Sequence, residues 1–92
     1  MDEVTITVMS RDNCHLCDEA ETVITSVMHD FSNVVMVKKN VDDEVEWLKR
    51  YSDHVPVVLI DDQEHSSLHV QSEPLRRALV HAGGLLSLQK LE

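Results

Sequence analysis

Three stretches of the chain have the apolar pattern of β-strands. Residues 4–9 alternate β-branched side chains with little charge and are followed by the turn-forming residues 10–13. Residues 34–41 form a second, valine-rich stretch. Residues 55–60 are almost continuously apolar, which is typical of a central strand covered on both faces. Because proline cannot donate to a strand ladder, Pro56 is expected at the start of this third strand.

Helical patterns separate these strands. From Cys14 to about Phe31 apolar residues recur every three or four positions, as in a helix that buries one face. A shorter helix is predicted to end near residues 51–53. Asp42 or Asp43 is predicted to cap its N-terminus, and Glu46 lies three residues beyond Asp43 in capping-box spacing.

The last third of the chain predicts a hairpin and a third helix. Residues 61–64 are expected to turn the chain after the third strand, and residues 66–71 to return as an edge strand. Ser72 is then predicted to cap a helix that ends at Gly83-Gly84. The predicted order is β-α-β-α-β-β-α, and the first two strands should be parallel because a helix connects them.

Length, composition and charge limit the classes of protein. Ninety-two residues are enough for one domain, which we expect to span residues 1–90, and Leu91-Glu92 match the scar left by a common expression vector. A formal charge of −9 argues against nucleic-acid partners, because a phosphate backbone repels it. The N-terminus lacks the pattern of a signal peptide, and the longest charge-free run, residues 78–89, is too short to span a bilayer. We therefore predict a cytoplasmic protein.

Two cysteines, Cys14 and Cys17, stand at the start of the first predicted helix. A helix N-terminus presents free N–H groups and partial positive charge, so Cys14 is expected to exist largely as the nucleophilic thiolate. Arg11, three residues earlier, is expected to add positive charge. Cys17, nearly one helical turn on, should lie within reach of Cys14 and be more buried. This arrangement suits a nucleophilic thiol and a resolving thiol.

Three other roles for the cysteines remain open. They can be small core residues, as buried cysteines often are. They can bind zinc with His65 and His69, but 47 residues separate Cys17 from His65. Four residues on a strand also span about 13 Å, too far for both imidazoles to reach one ion. An iron–sulfur cluster needs about four thiolates and could only be shared between subunits or with an external thiol; we expect no metal.

The residues around the cysteines resemble those of the glutaredoxins, and most closely the small bacterial glutaredoxin-like proteins with a Cys-His-Leu-Cys motif. The resemblance covers nearly the whole chain. It rests on residues 10–17 after the first strand, on His-Val-Pro-Val at residues 54–57, and on the order of the elements. It implies an α/β, thioredoxin-like fold with a four-stranded mixed sheet flanked by helices. The activity that it implies is that of a thiol-disulfide oxidoreductase acting in electron transport.

The resemblance also implies roles for residues outside the cysteine motif. Pro56 is expected to be cis and to face the dithiol, and the Val55 backbone to pair with a bound thiol peptide. Arg11 matches the basic residue that glutaredoxins place three positions before the first cysteine, where it attracts a glutathione carboxylate. Ser72 is expected to offer donors at the N-terminus of the last helix.

The chain departs from the glutaredoxin pattern at three places. His15-Leu16 replaces Pro-Tyr between the cysteines, His54 replaces a Thr, and residues 70–73 lack the Gly-Gly pair near the last helix. Those glycines let glutathione approach the backbone, so we expect poor reduction by glutathione and no bound cofactor. His15 and His54 are candidates for tuning the redox potential of the dithiol through their charge.

The predicted function is therefore the reduction or exchange of disulfides through Cys14 and Cys17. The expected substrates are protein or small-molecule disulfides, and the expected reductant is glutathione or a thioredoxin-type protein. We expect a monomer. One alternative remains open, namely a redox-inactive binding module that keeps the fold and uses the Val55-Pro56 groove for a partner.

Overall fold

The computed structural model describes residues 3–87, so the vector-like residues 91–92 lie outside the described part of the chain. No helix within residues 3–87 is long and apolar enough to cross a membrane. The described elements, in chain order, are β1 (Val4–Ser10), α1 (His15–Met28), β2 (Val34–Asn40), a 3₁₀ helix (Val41–Asp43), α2 (Val45–Tyr51), β3 (Val57–Ile60), β4 (Gln63–Ser67) and α3 (Ser72–His81).

The four strands form one mixed sheet in the order β2-β1-β3-β4. β1 and β2 are parallel, as predicted, with Val4 opposite Val34 and Ser10 opposite Asn40. β3 is antiparallel to both β1 and β4. Because parallel strands end at the same edge of a sheet, the segments that follow Ser10 and Asn40 lie side by side. This edge carries the two cysteines.

Helices cover both faces of the sheet, and β3 packs against both layers. Val58 and Ile60 belong to the larger core, which also contains Ile24 of α1 and Leu75 of α3. Val57 and Leu59, which alternate with them along β3, belong to a second core that lies against Tyr51 of α2 and includes partly buried Trp47. The prediction of a strand covered on both faces is confirmed, since all four residues of β3 are buried.

The predicted end of the first helix is wrong by three residues. α1 ends at Met28, and Phe31 lies in the following turn. Phe31 is nevertheless buried, and its backbone forms an isolated β-bridge with Leu86. The apolar periodicity of the sequence extends beyond the end of α1, because Phe31 is buried in the core although it lies outside the helix.

The bounds of the fourth strand were also predicted wrongly. β4 covers Gln63–Ser67 rather than residues 66–71, because the hairpin turn has two residues instead of four. These two, Asp61 and Asp62, have φ values of 48° and 71°. Two successive left-handed residues are the geometry of a type I′ turn, which suits a tight hairpin. β4 therefore starts three residues earlier than predicted.

Two predicted helix caps are wrong as well. Ser72 is the first residue of α3, and Gln71 occupies the N-cap position without a side-chain hydrogen bond. Asp42 and Asp43 do not cap α2, because they lie in the 3₁₀ helix. Asn40 caps that helix, its Oδ1 accepting the Asp42 N–H at 2.8 Å, so the chain makes one 3₁₀ turn before α2 begins.

The predicted end of the last helix is confirmed. α3 ends at His81, and Gly83 adopts a φ of 108°, a conformation that favours glycine. A Cβ atom on Gly84 would lie 2.8 Å from the carbonyl oxygen of Leu79. Both glycines are therefore required by the turn that follows α3.

Candidate functional site

The loop between β1 and α1 places Cys14 at the start of the helix. Asn13 has a φ of 59°, a left-handed conformation that Asn tolerates better than most residues, and it reverses the chain after β1. Cys14 then takes the N-cap position with extended backbone geometry. Its Sγ accepts the backbone N–H of Cys17 at 3.1 Å, so the sulfur satisfies one of the free donors of the helix.

Cys14 and Cys17 are joined by a disulfide, and their Cα atoms are 5.2 Å apart. Cys17 is only 1% exposed and belongs to the buried core, whereas Cys14 is partly exposed. The prediction that Cys17 is the more buried of the two is confirmed. Cys14 is therefore the cysteine that a molecule in solution can contact, whereas Cys17 is enclosed by the core.

The loop before β3 lies at the same edge of the sheet. The Val55–Pro56 peptide bond is cis, as the resemblance implies. Pro56 is fully buried, directly precedes β3, and lies one register step beyond the Met9–Val57 pair, beside Ser10. Its carbonyl accepts the N–H of Leu68 at 2.8 Å, which ties the proline loop to the end of β4.

The guanidinium of Arg11 is hydrogen-bonded rather than free. It donates to Asp42 Oδ1 at 2.8 Å and to the carbonyl of Ser52 at 3.4 Å. The hydrogen bond and the charge of Asp42 raise the pKa of Arg11. Sequence reasoning missed this partner, although the parallel pairing of β1 with β2 brings the residues after Ser10 next to those after Asn40.

The two histidines proposed to tune the dithiol lie in different surroundings. The side chain of His15 is 86% exposed, and its Nε2 lies 2.9 Å from Glu19 one turn along α1. His54 is partly buried, and its ring meets Tyr51 edge to face at 6.2 Å between centroids. Within residues 3–87 neither imidazole is hydrogen-bonded to a cysteine. Any influence on the dithiol therefore acts through charge.

A small cleft lies beside Leu16, the residue before Cys17 in the chain, and includes a residue that the sequence did not single out. The cleft has a volume of about 70 Å³, and its lining includes Leu16, Leu68 and Val70. Leu68 is 41% exposed and has a φ of 66°, which is uncommon for a residue with a large side chain. Ser72, at the first position of α3, lies four residues further along the chain and is exposed.

Another groove lies between β4 and α3. It has a volume of about 650 Å³, and its lining includes His65, Arg77 and His81 but neither cysteine. His65 is half-buried rather than fully on the surface, and this burial lowers its pKa. His69 lies beyond the end of β4. In the described part of the chain, no three His, Cys, Asp or Glu side chains cluster as metal ligands.

Three solved structures similar to this chain are thioredoxins. A mutant thioredoxin from Halobacterium salinarum matches with a TM-score of 0.65 and 16% identity, over 94% of this chain and 80% of that chain. Oxidised thioredoxin from Plasmodium falciparum matches with a TM-score of 0.60 and 14% identity, over 89% and 83% respectively. Deadhead, a germline-specific thioredoxin from Drosophila melanogaster, matches with a TM-score of 0.56 and 20% identity, over 88% and 80%. These similarities establish a thioredoxin-like fold.

Comparison of the sequence with known proteins identifies the family. No curated protein sequence matches the chain. A family model described as "Glutaredoxin-like domain (DUF836)" matches residues 5–80, which include both cysteines, the cis-proline loop and most of α3. The chain therefore belongs to the glutaredoxin-like domain family and carries, at the start of α1, a cysteine pair close enough to form a disulfide.

Proposed function

We propose that this protein is a thiol-disulfide oxidoreductase in which Cys14 and Cys17 alternate between dithiol and disulfide. The observation that carries the proposal is the Cys14–Cys17 disulfide at the start of α1, with one partly exposed and one buried cysteine. After reduction, the Cys17 N–H and the positive end of α1 favour a negative charge on the sulfur of Cys14. Cys14 is therefore the nucleophile, and Cys17 the resolving thiol.

The reaction transfers two electrons from the dithiol to the substrate. The thiolate of Cys14 attacks one sulfur of a substrate disulfide, forms a mixed disulfide, and releases the other substrate sulfur as a thiolate. Cys17 then loses its proton to solvent and attacks the sulfur of Cys14. The Cys14–Cys17 bond forms, the second substrate thiolate leaves, and both substrate thiolates take up protons from solvent. The reverse sequence oxidises a substrate dithiol.

The surfaces around Cys14 suit a protein or small-molecule disulfide. We propose that the Val55 backbone and Pro56 border the site on the β3 side, and that Leu16 and Leu68, which line one cleft, offer apolar contacts. We assign the substrate-binding role to Val55 and Pro56 together with Ser72, and a charge effect on the dithiol to His15 and His54. The chain is proposed to act as a monomer in the reducing cytoplasm, where a thioredoxin-type protein, and glutathione only inefficiently, would regenerate the dithiol.

Glutathione is proposed to be a poor reductant and ligand, and no resident cofactor is required. Val70 is buried and Gln71 carries an exposed side chain, so this segment does not present the bare backbone of a Gly-Gly pair. Chemical-shift mapping during a glutathione titration tests this point. Submillimolar binding with shifts at Arg11, Val55 and Ser72 would contradict the proposal.

The activity is tested by equilibrating the protein with graded ratios of reduced and oxidised dithiothreitol and glutathione, then trapping free thiols for mass spectrometry. We expect one reversible two-electron transition between about −120 and −270 mV, the range of thioredoxin-fold oxidoreductases. Cys17→Ser should accumulate a mixed disulfide at Cys14, whereas Cys14→Ser should show no turnover. A cysteine pair that does not interconvert in this range would instead support a binding module that uses the Val55-Pro56 groove.

A further inference from the structure

The charged side chains near Cys14 are almost all acidic. The segments that follow β1 and β2, together with the first turns of α1, comprise residues 10–19 and 40–44 and contain one arginine, Arg11. Against it stand six exposed carboxylates, namely Asp12, Asp18, Glu19, Asp42, Asp43 and Glu44. On β2, the pKa of Lys38 is raised mainly by its hydrogen bond to Glu21 and the charge of Glu21. The charges of Asp18 and Asp12 raise it to a smaller extent.

Asp42 forms an ion pair with the one arginine of these segments. Its Oδ1 lies 2.8 Å from the guanidinium of Arg11, which also donates to the carbonyl of Ser52. The position of Asp42 is itself held, because Asn40 caps the 3₁₀ helix by accepting the Asp42 N–H. The pairing of Ser10 with Asn40 then sets the two segments side by side. The guanidinium is therefore occupied before any substrate arrives.

We propose that Asp42 is a specificity-determining residue. Because of it, the dithiol reacts faster with disulfides flanked by basic or uncharged groups than with disulfides flanked by acidic groups. The inference rests on the proposed function. An anionic disulfide must approach the negative thiolate of Cys14 past Asp12 and Asp18, and the one arginine of residues 10–19 and 40–44 is already paired with Asp42. A disulfide flanked by ammonium or guanidinium groups meets attraction instead.

Three small disulfides of different charge test the proposal: cystamine, which is cationic, hydroxyethyl disulfide, which is neutral, and dithiodipropionate, which is anionic. The rate at which each oxidises the reduced protein is divided by its rate with free mercaptoethanol, which removes differences in intrinsic reactivity. We expect the normalised rates to fall from cationic to neutral to anionic. High salt should compress this order, because the charges concerned are exposed.

Two single variants distinguish the effect of the Asp42–Arg11 ion pair from the effect of removing one negative charge. Asp42→Ala and Asp43→Ala each remove one carboxylate from the same 3₁₀ helix, but only Asp42 is paired with Arg11. We expect Asp42→Ala to react with dithiodipropionate about fivefold faster than Asp43→Ala does. This is the factor that the attraction between two unit charges about 4 Å apart in water gives. The double variant Arg11→Ala/Asp42→Ala should lose this gain.

Other outcomes would overturn the inference in distinguishable ways. Equal rates for Asp42→Ala and Asp43→Ala would show that Asp42 acts only as one charge among several. A wild-type preference for the anionic disulfide would refute the charge selection itself. If the reduced protein reacted with none of the three disulfides, the proposed function would fail, and this inference with it.

Discussion

Reducing the Cys14–Cys17 disulfide should leave the stability of the fold nearly unchanged or raise it slightly. A disulfide stabilises a protein chiefly by restricting the unfolded chain, and the effect grows with the length of the loop that it closes. Here the two cysteines are only three positions apart. For a loop of four residues the chain-entropy relation gives about 1.9 kcal/mol in favour of the oxidised form.

The reduced form gains a contribution that offsets this entropy. Once reduced, Cys14 carries negative charge at the N-terminus of α1, where such a charge contributes about 0.3 to 2 kcal/mol. The Cys17 N–H, 3.1 Å from this sulfur in the disulfide, then bonds to a charged acceptor, and hydrogen bonds to charged groups contribute about 1.5 to 3 kcal/mol compared with about 0.5 to 1.5 kcal/mol for neutral ones. Both contributions are present in the folded state and absent in the unfolded one. The reduced form is therefore expected to be at least as stable as the oxidised form at neutral pH.

Urea unfolding with and without excess reductant measures this difference, with the fluorescence of the single Trp47 as the probe. A variant with Ser in place of both Cys14 and Cys17 serves as the control, because its midpoint should not respond to reductant. An oxidised form more stable by about 3 kcal/mol or more, the usual range of structural disulfides, would refute the reasoning. It would support a structural rather than a redox role for the pair.

Three further expectations follow from burial and from the helix start. In the reduced protein, alkylation at mildly acid pH should label Cys14 before Cys17, as mass spectrometry of the labelled peptides would show; faster labelling of Cys17 would reverse their assigned roles. Leu75→Ala, at a fully buried position in α3, should lower the free energy of unfolding by about 2 to 5 kcal/mol. The matched exposed variant Val80→Ala should change it by less than about 0.5 kcal/mol, and similar losses for both would contradict the packing described for α3. NMR titration of His65 should give a pKa below the ordinary 6.5, because burial disfavours its charged form. Its contribution to stability is therefore lost as the pH falls from 6.5 through that lower value. A pKa above 6.5 would be inconsistent with the burial of His65.

Local patterns in the sequence were sufficient to predict most of the fold. The alternation of Val57 and Leu59 with Val58 and Ile60 indicates a strand with two buried faces, and each pair does lie in a separate core. The position of Cys14 is also local information, since a turn-forming run before an amphipathic stretch indicates a helix start. Its prediction needed no knowledge of distant residues.

Element ends were less accurate where tertiary packing decided them. Phe31 continues the apolar periodicity of α1 but is buried from a turn, where its backbone pairs with Leu86. The hairpin turn closes over Asp61 and Asp62 alone, because both adopt left-handed backbone conformations that composition does not specify. In both cases the residue types are compatible with more than one local structure.

The sequence by itself therefore determined the order of the elements, the family resemblance and the placement of the cysteine pair at a helix start. The tertiary structure alone decided what surrounds that pair. Arg11 and Asp42 are 31 positions apart and meet only because the register of β1 against β2 aligns the ends of the two strands. Leu68, just after β4, is tied to the loop before β3 by the hydrogen bond from its N–H to the carbonyl of Pro56. Such contacts depend on register and chain reversal over long separations, and these are set by the packing of the whole sheet rather than by local preference.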